Sequence, residues 1–185
     1  MNLTQFIKPY RILEKENLRI AVIGLTTPDP MYAWRVPNTR VVDPSITLQQ
    51  AIPVIRPQAD AVIALTHLGI TLDERLVRSS EGLDLVVGGH SHTVLTEPYL
   101  VPDPTGRQIP IVQTGRFGES VGDLLVDITP GQPMRVISYR LVPVLNTGLR
   151  DPAVEGRVEL ARARFEEQMG REWLNTVVGR SEVPL

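Results

Sequence analysis

A chain of 185 residues with 42% apolar content is long enough to fold as one domain with a hydrophobic core. Its 19 Lys and Arg residues are balanced by 21 Asp and Glu residues, and the net charge of -2 excludes the basic surface on which nucleic-acid-binding proteins rely. The absence of cysteine excludes disulfide bonds and thiolate metal sites. The chain has no apolar run of about 18 residues and no signal peptide, so we expect no membrane-spanning helix.

The chain begins with two candidate strands and a loop. Residues 9–13 predict a short edge strand, and residues 18–25 predict a longer one with a stronger apolar pattern. The stretch 26–38 contains three prolines and predicts a loop. Three large side chains of this loop are predicted to pack against the domain, with the lining of a cleft as the alternative: Met31, Tyr32 and Trp34.

Two helices are predicted next. Ser45 is expected to cap the first helix, and Pro53 is expected to kink or shorten it. The second helix has the form of a capping box, with Thr71 as the N-cap and Glu74 three residues later. Gly82 suits the end of this helix, because glycine readily adopts the left-handed conformation found after helix C-termini.

Each apolar run that flanks the second helix leads into histidine. Residues 61–65 and 85–87 lack polar alternation, which is typical of parallel strands buried on both faces. The unit therefore predicts strand, helix, strand, with His67 after the first strand and His90 and His92 after the second. Ligands of open α/β sheets bind outside the carboxyl ends of the strands. We expect all three histidines of the chain at such a binding edge.

The chemistry of these histidines points to a metal. Neutral imidazole is the commonest metal-ligating side chain, and neighbouring glycines let the backbone turn sharply and a ligand approach closely. On an extended chain, His90 and His92 would direct their rings to one side. For His67 alone, a hydrogen-bonded structural role is the alternative, but three converging imidazoles favour a metal site. Ser91 is interpreted as a spacer, because no Gly-x-Ser-x-Gly elbow surrounds it.

After His92 the pattern becomes extended and then helical. Residues 108–114, 120–128 and 134–144 predict an antiparallel meander that closes the sheet. Arg116 is interpreted as a surface arginine, with a phosphate contact as the alternative. Asp151 is expected to cap a final helix whose first residue is a proline. The apolar stripe of this helix comprises Val154, Val158, Ala161, Phe165 and Met169. The predicted fold class is therefore α/β, with parallel strands followed by a meander and a C-terminal helix.

Two histidine segments carry a family resemblance. Residues 66–69 (Thr-His-Leu-Gly) and 82–93 (Gly-Leu-Asp-Leu-Val-Val-Gly-Gly-His-Ser-His-Thr) resemble the second half of the catalytic domain of the 5'-nucleotidase family, a branch of the calcineurin-like metallophosphoesterases. Residues 20–27 and 111–122 add weaker similarity to the glycine-containing strands of that family. The resemblance implies part of a metallophosphoesterase-like α/β sandwich.

The resemblance also implies a site and a domain organisation. His67 and His90 would ligate one ion of a dinuclear pair, and His92 would ligate the other. Imidazole with carboxylate suits manganese, zinc, iron and cobalt alike, so the two divalent ions are not identified further. Residues 1–150 would be the C-terminal half of the catalytic domain. Residues 151–185 would be an amphipathic helix and the start of a linker to a second domain.

In its complete form, a protein of this family hydrolyses phosphoesters of nucleotides. The resemblance implies a 5'-nucleotidase or 2',3'-cyclic-nucleotide 2'-phosphodiesterase that uses a hydroxide bridging two metal ions, and a parent protein that is periplasmic or extracellular. The expected partner is a nucleotide or another small phosphoester, not a nucleic acid polymer. The alternatives are a non-catalytic metal-binding remnant and a hydrolase of another phosphate or sulfur ester on the same scaffold.

The chain departs from the family in the first half of the site. The family's Asp-x-His, Gly-Asp and Gly-Asn-His motifs do not occur before Thr66, so we expect a fragment that lacks the N-terminal half of its own domain. Asp60 and Asp84 are predicted at the opposite ends of the histidine strands, and nothing in the spacing of Asp73 or Glu97 recommends them as replacement ligands. The isolated chain is therefore expected to bind a single metal weakly at best and to be catalytically poor.

Overall fold

The computed structural model describes residues 7–28, 41–145 and 147–180. The loop side chains whose packing is predicted above lie outside the described residues, so that packing stays a prediction: Met31, Tyr32 and Trp34. The chain divides into two compact units, Met1–Val144 and Leu145–Leu185. None of the helices in the described ranges is long and apolar enough to cross a membrane.

The described part of the first unit contains a mixed six-stranded sheet and a separate two-stranded sheet. The six strands are β1 (Tyr10–Lys15), β2 (Leu18–Thr26), β3 (Ala61–His67), β4 (Leu85–Val87), β5 (Tyr99–Pro102) and β6 (Gln108–Val112). They lie in the order β1-β2-β3-β4-β6-β5. The strands β2, β3, β4 and β6 run parallel, and β1 and β5 pair antiparallel at the two edges. The predicted α/β fold class is confirmed.

Helix α1 (Pro44–Ile55) is capped by Asp43 and not by Ser45. The Asp43 side chain accepts hydrogen bonds from the backbone N–H groups of Ser45 at 2.8 Å and Ile46 at 3.2 Å. The predicted cap lies two residues after the observed one. Proline is well suited to the first helical position, so the helix begins at Pro44 and the residue before it is the cap. The helix continues through Pro53 for two residues before it ends.

Helix α2 (Ile70–Ser79) begins two residues earlier than the capping-box pattern predicts. Gly69, at φ +87°, turns the chain directly into the helix, and no side chain caps it. The predicted N-cap Thr71 therefore lies inside the first turn. The helix is capped at its C-terminus by Ser80, so Gly82, predicted for this role, lies two residues beyond the cap. Gly82 has φ +100°, and a Cβ there would lie 2.9 Å from the side chain of Ile52 in α1. Glycine at this position allows both the backbone turn and the close approach of α1.

The hydrophobic core is formed between the six-stranded sheet and the two helices. Fully buried side chains include Leu48 and Ile55 of α1, Leu76 and Val77 of α2, and Ile111 of β6. Burying a side chain of this size stabilises a fold by about 1.5–3 kcal/mol. The resulting core holds the carboxyl ends of the parallel strands in a fixed relationship.

The structure divides the predicted meander between the two sheets. The strand β6 pairs parallel with β4 in the main sheet, whereas β7 (Ser120–Asp127) and β8 (Arg135–Pro143) form the separate antiparallel pair. Residues 109–112 are buried without alternation, which is the pattern of a central parallel strand. The antiparallel neighbour of β6 is β5, which the sequence analysis did not predict.

The second unit contains helix α3 (Pro152–Met169) and the short helix α4 (Arg171–Asn175). Asp151 caps α3 as predicted, since its carboxyl accepts hydrogen bonds from the backbone of Ala153 at 2.8 Å and Val154 at 3.0 Å. No residue of α3 is buried. Four members of its predicted apolar stripe are 42–58% exposed: Val154, Val158, Phe165 and Met169.

Candidate functional site

The histidines follow the carboxyl ends of two neighbouring parallel strands, as the sequence predicts. His67 is the last residue of β3 and lies beside Thr26 of β2 in the sheet register. Its carbonyl accepts a 3.0 Å hydrogen bond from the backbone N–H of Thr27. His90 comes three residues after β4, which pairs with β3. The sheet therefore brings two segments that are distant in sequence to the same edge.

His67 and His90 form a close imidazole pair. The Nε2 atom of His67 lies 3.2 Å from the Nδ1 atom of His90. The ring centroids are 4.9 Å apart, and the rings are inclined by 66°. Two neutral imidazoles at this separation can share a hydrogen bond, with the direction set by their tautomers. They also fit one ion, because two nitrogen ligands about 2.0–2.1 Å from a tetrahedral metal lie about 3.3 Å apart.

Two glycines lie beside this pair. A Cβ on Gly89 would lie 3.4 Å from Nδ1 of His67, and a Cβ on Gly69 would lie 3.4 Å from Cδ2 of His90. Gly69 also has φ +87°, a conformation that side chains other than glycine rarely adopt. Each glycine therefore lies against one ring of the pair, where a Cβ would make an ordinary van der Waals contact.

His92 lies apart from the pair. His90 and His92 both have left-handed backbone conformations, with φ +76° and +57°. The prediction that an extended chain directs both rings to one side is therefore wrong, because the chain is not extended here. The His92 ring lies edge-on to Phe117, with 5.5 Å between centroids. Across residues 7–28, 41–145 and 147–180, no three His, Cys, Asp or Glu side chains are grouped closely enough to hold a metal ion.

The neighbour of His92 is itself unusual. Phe117 is 82% exposed and has φ +54°, an uncommon backbone conformation for a bulky residue. The guanidinium carbon of Arg116 lies 5.2 Å from the centroid of its ring, within the range of a cation–π contact. Arg116 is exposed and lies 3.9 Å from Glu119 in an ion pair. Its surface position agrees with the favoured interpretation of this arginine.

Polar side chains beneath the histidines were not found from the sequence. Ser91, interpreted as a spacer, donates a 3.0 Å hydrogen bond from its hydroxyl to Oε1 of Gln113 and accepts one from the backbone N–H of Ile70 at 3.1 Å. Gln113 is 1% exposed, and its Oε1 also accepts a 2.7 Å bond from the backbone N–H of Thr93. The only sequence signal was a glutamine directly after the apolar run of β6.

A buried carboxyl lies on the other side of the same region. Asp73 of α2 is fully buried, and its Oδ1 accepts a 2.6 Å hydrogen bond from the hydroxyl of Thr66. Burial raises the pKa of Asp73 to about 6, because desolvation disfavours the carboxylate more than the bond from Thr66 favours it. Its Oδ2 has no hydrogen-bond partner among the described residues. Asp73 thus lies below the histidines without being grouped with them as a metal ligand.

The other carboxylates of these strands lie at the opposite end of the sheet, as predicted. Asp84 precedes β4, and its Oδ2 accepts a 2.8 Å hydrogen bond from the backbone of Val62 and a hydrogen bond from Arg56. Its Oδ1 faces Arg107 at 3.4 Å. Asp60 precedes β3 and accepts a 2.7 Å bond from the backbone of Arg19. These groups stabilise the amino ends of the strands.

Comparison with known proteins gives a consistent relationship. The chain is 28% identical to snake venom 5'-nucleotidase of Naja atra over 194 residues, which cover 96% of this chain and 36% of that protein. It is 34% identical to snake venom 5'-nucleotidase of Crotalus adamanteus over 140 residues, which cover 68% of this chain and 24% of that protein. The chain therefore spans about a third or less of the length of these relatives. No family model matches the chain.

Solved structures agree with the sequence relatives. The 5'-nucleotidase precursor of Thermus thermophilus superposes with a TM-score of 0.74 at 24% identity, covering 91% of this chain and 36% of that one. The sulfate thiohydrolase SoxB of Thermus thermophilus superposes with a TM-score of 0.68 at 25% identity, covering 87% of this chain and 29% of that one. The first of these likenesses establishes the fold alone. Taken with the sequence relatives, they show that the chain is related to the 5'-nucleotidase family over most of its length.

Proposed function

We propose that this chain is part of a metal-dependent phosphoric ester hydrolase of the calcineurin-like metallophosphoesterases, and that His67 and His90 bind one divalent ion. One observation carries this proposal: Nε2 of His67 and Nδ1 of His90 lie 3.2 Å apart at the carboxyl ends of adjacent strands. The nucleotide substrate is inferred from relatives that are named 5'-nucleotidases. Nucleoside monophosphates and cyclic nucleotides are the first substrates to test.

A second ion would be held by His92 together with ligands from elsewhere. The His92 ring lies against Phe117 and outside the imidazole pair, which suits a ligand of a neighbouring ion better than a third ligand of the same ion. Its imidazole donor fits the same set of metals, namely manganese, zinc, iron or cobalt. Two bound ions activate water and neutralise charge on the phosphoryl oxygens. The chain's own task is to hold the three imidazoles in place.

The charge balance of the site favours a contribution from outside the described residues. Imidazoles are neutral ligands, so two close dications require carboxylates between them. Asp73 is engaged with Thr66, and Asp60 and Asp84 lie at the other end of the sheet. We infer that a further segment of the parent protein supplies the anionic ligands, and that residues 1–185 alone bind a single ion weakly and turn over slowly.

The likeness to the sulfate thiohydrolase favours one other candidate substrate. That protein is 25% identical to this chain and superposes over 87% of it. A scaffold of this kind hydrolyses different esters according to the groups around the metals. The second candidate function is therefore hydrolysis of a sulfur ester at the same histidine edge.

The first experiment measures metal binding to the purified chain by titration calorimetry with Mn²⁺ and Zn²⁺. We expect one ion, lost in His67→Ala and in His90→Ala and retained in His92→Ala. Gln49→Ala, which changes an exposed side chain on α1, serves as the control. Equal binding by the wild-type chain and both single variants would contradict the assignment of the pair.

The second experiment tests the reaction. The reading frame upstream of Met1 is sequenced for the Asp-x-His, Gly-Asp and Gly-Asn-His motifs, and the longest gene product is assayed with nucleoside 5'-monophosphates, 2',3'-cyclic nucleotides and a thiosulfonate ester. Hydrolysis of the nucleotides supports the first candidate, and selective hydrolysis of the thiosulfonate supports the second. Metal binding without hydrolysis of any ester would support the non-catalytic alternative and overturn the proposal.

A further inference from the structure

Gln113 connects the sheet to the segment that carries two of the histidines. This segment, residues 88–93, is called the histidine loop below. Gln113 directly follows β6 and is 1% exposed. Its Oε1 accepts hydrogen bonds from the hydroxyl of Ser91 at 3.0 Å and from the backbone N–H of Thr93 at 2.7 Å. The two donors flank His92, so one buried amide oxygen fixes the chain on both sides of that residue.

Ser91 extends this connection to α2. Its hydroxyl oxygen accepts a 3.1 Å hydrogen bond from the backbone N–H of Ile70, the first residue of the helix. The preceding residue, Gly69, is the one whose Cβ position lies 3.4 Å from the ring of His90. The start of α2, the histidine loop and the end of β6 are therefore held together by a single chain of hydrogen bonds through Ser91.

The other end of the Gln113 amide faces a buried carboxyl. A Cβ on Gly88 would lie 2.5 Å from Oδ2 of Asp73 and 3.2 Å from Nε2 of Gln113, so both atoms border the same point. Neither atom has a hydrogen-bond partner among the described residues. The amide nitrogen can donate and the carboxyl oxygen can accept, so the two groups are complementary, although no hydrogen bond joins them in this structure. This complementarity selects the amide orientation that directs Oε1 toward Ser91.

We propose that Gln113 is the positioning residue of the histidine loop, which it holds through Ser91 and Thr93 while Asp73 orients its amide across Gly88. His90 and His92 both have left-handed backbone conformations, which persist only where surrounding contacts enforce them. The hydrogen bonds of Gln113 are such contacts. The inference concerns the geometry of the loop, and only its consequence for a bound ion rests on the proposed function.

The test compares histidine side chains by long-range ¹H–¹⁵N NMR in the full metal-free chain. Gln113→Met keeps the length of the side chain and removes the acceptor, and we expect the imidazole resonances of His90 and His92 to shift. The matched control is Gln49→Met on α1, whose amide bonds the carbonyl of Ser79 at 2.9 Å. This variant should leave the histidine resonances unchanged. Unchanged histidine resonances in a folded Gln113→Met chain would overturn the proposal.

A second variant covers the case in which Gln113→Met does not fold. Ser91 is exposed, so Ser91→Ala removes its three side-chain hydrogen bonds, to Ile70, Thr93 and Gln113, with little effect on the core. We expect the same histidine resonances to move in this variant, and wild-type resonances would overturn the proposal. The orientation by Asp73 is tested with Gln113→Glu, which places two carboxyls opposite each other, and with Asp73→Asn added to it. Resonances closer to wild type in the double variant support the pairing, and no recovery counts against it.

Metal affinity gives a readout that is linked to the proposed function. Loss of a group that orients metal ligands typically weakens affinity about 10- to 100-fold. We expect a loss in this range for Mn²⁺ binding by Gln113→Met and less than twofold for Gln49→Met. If the wild-type chain binds no Mn²⁺, the proposed function fails, while the NMR comparison still decides the role of Gln113.

Discussion

The hydroxyl of Thr66, the residue before His67, donates a 2.6 Å hydrogen bond to Oδ1 of Asp73. This bond joins the end of β3 to α2 in the buried part of the fold. It is too weak to offset the desolvation of the carboxylate, because the pKa of Asp73 is still raised to about 6. The fold therefore keeps, next to its candidate site, a carboxyl that retains its proton to a higher pH than an ordinary aspartate.

Asp73 should make the stability of the chain depend on pH in the direction opposite to most carboxyls. Its pKa is about 6 in the folded chain and 3.8 in the unfolded one, so the folded state retains the proton longer. The stabilisation that protonated Asp73 contributes to the fold is complete below pH 3.8 and is lost as the pH rises through 6. We expect the free energy of unfolding of Asp73→Asn, taken relative to that of wild type, to rise by on the order of 2–3 kcal/mol between pH 4 and pH 7.

Urea unfolding at several pH values measures this difference. The exposed ion-pair residue Asp123 supplies the control, since Asp123→Asn should give a profile parallel to wild type. A constant difference between Asp73→Asn and wild type across the range would show that Asp73 ionises normally.

Gly88→Ala should destabilise the fold by about 1–3 kcal/mol, because the added methyl group overpacks a filled region. Its Cβ would lie 2.5 Å from Oδ2 of Asp73, and that carboxyl is fully buried and bonded to Thr66. Gly24→Ala in β2 is the matched control, since no atom lies within 4 Å of its Cβ position. Thermal and urea unfolding compare the two. Similar losses for both variants would contradict the packing argument.

Asp84→Ala should lower the free energy of unfolding by about 2–4 kcal/mol. The Asp84 carboxylate is 3% exposed at the side chain, contacts Arg56 and Arg107, and accepts the backbone N–H of Val62. Removing it leaves a buried N–H without its acceptor and takes a carboxylate partner from both guanidinium groups, of which Arg107 keeps Asp103 at 3.3 Å. The exposed pair of Asp123 with Arg140 is the comparison, and Asp123→Ala should cost less than about 1 kcal/mol. Equal costs in urea unfolding would argue against a structural role for Asp84.

The elements that the sequence predicted best are those whose signal is local. The apolar runs that end near His67 and His90 identify buried strands by composition alone, and Asp151 followed by proline identifies the start of α3. The direction of the His92 ring was not predictable in this way. It depends on φ angles held by Gln113, which lies about 20 residues later and reaches the loop only through the pairing of β6 with β4.

The same contrast between local signals and contacts with distant segments explains why the roles of Gln113 and β6 were not predicted. Gln113 looked like one more residue of an extended run, because its partners Ser91 and Thr93 are contributed by another segment. The strand β6 was assigned to a meander because it precedes two antiparallel strands, yet its continuous burial places it in the main sheet. Pairing between strands is a property of the whole fold, and a single local pattern does not specify it.

Phe117 offers a test of what holds the His92 ring. Its ring is 82% exposed, so removing it loses little burial, while its φ of +54° strains any residue with a Cβ. Phe117→Gly should therefore be about 1 kcal/mol more stable than Phe117→Ala in urea unfolding. Both variants lose the edge-on contact with His92 at 5.5 Å, so its imidazole resonances should move equally in the two. Val54→Ala, which changes a side chain that is 56% exposed near the C-terminal end of α1, should leave those resonances in place. If the His92 resonances stay at their wild-type positions in both Phe117 variants, the Phe117 ring does not position His92. The imidazole of His92 must then be held by the left-handed backbone of His92 and the hydrogen bonds of Gln113.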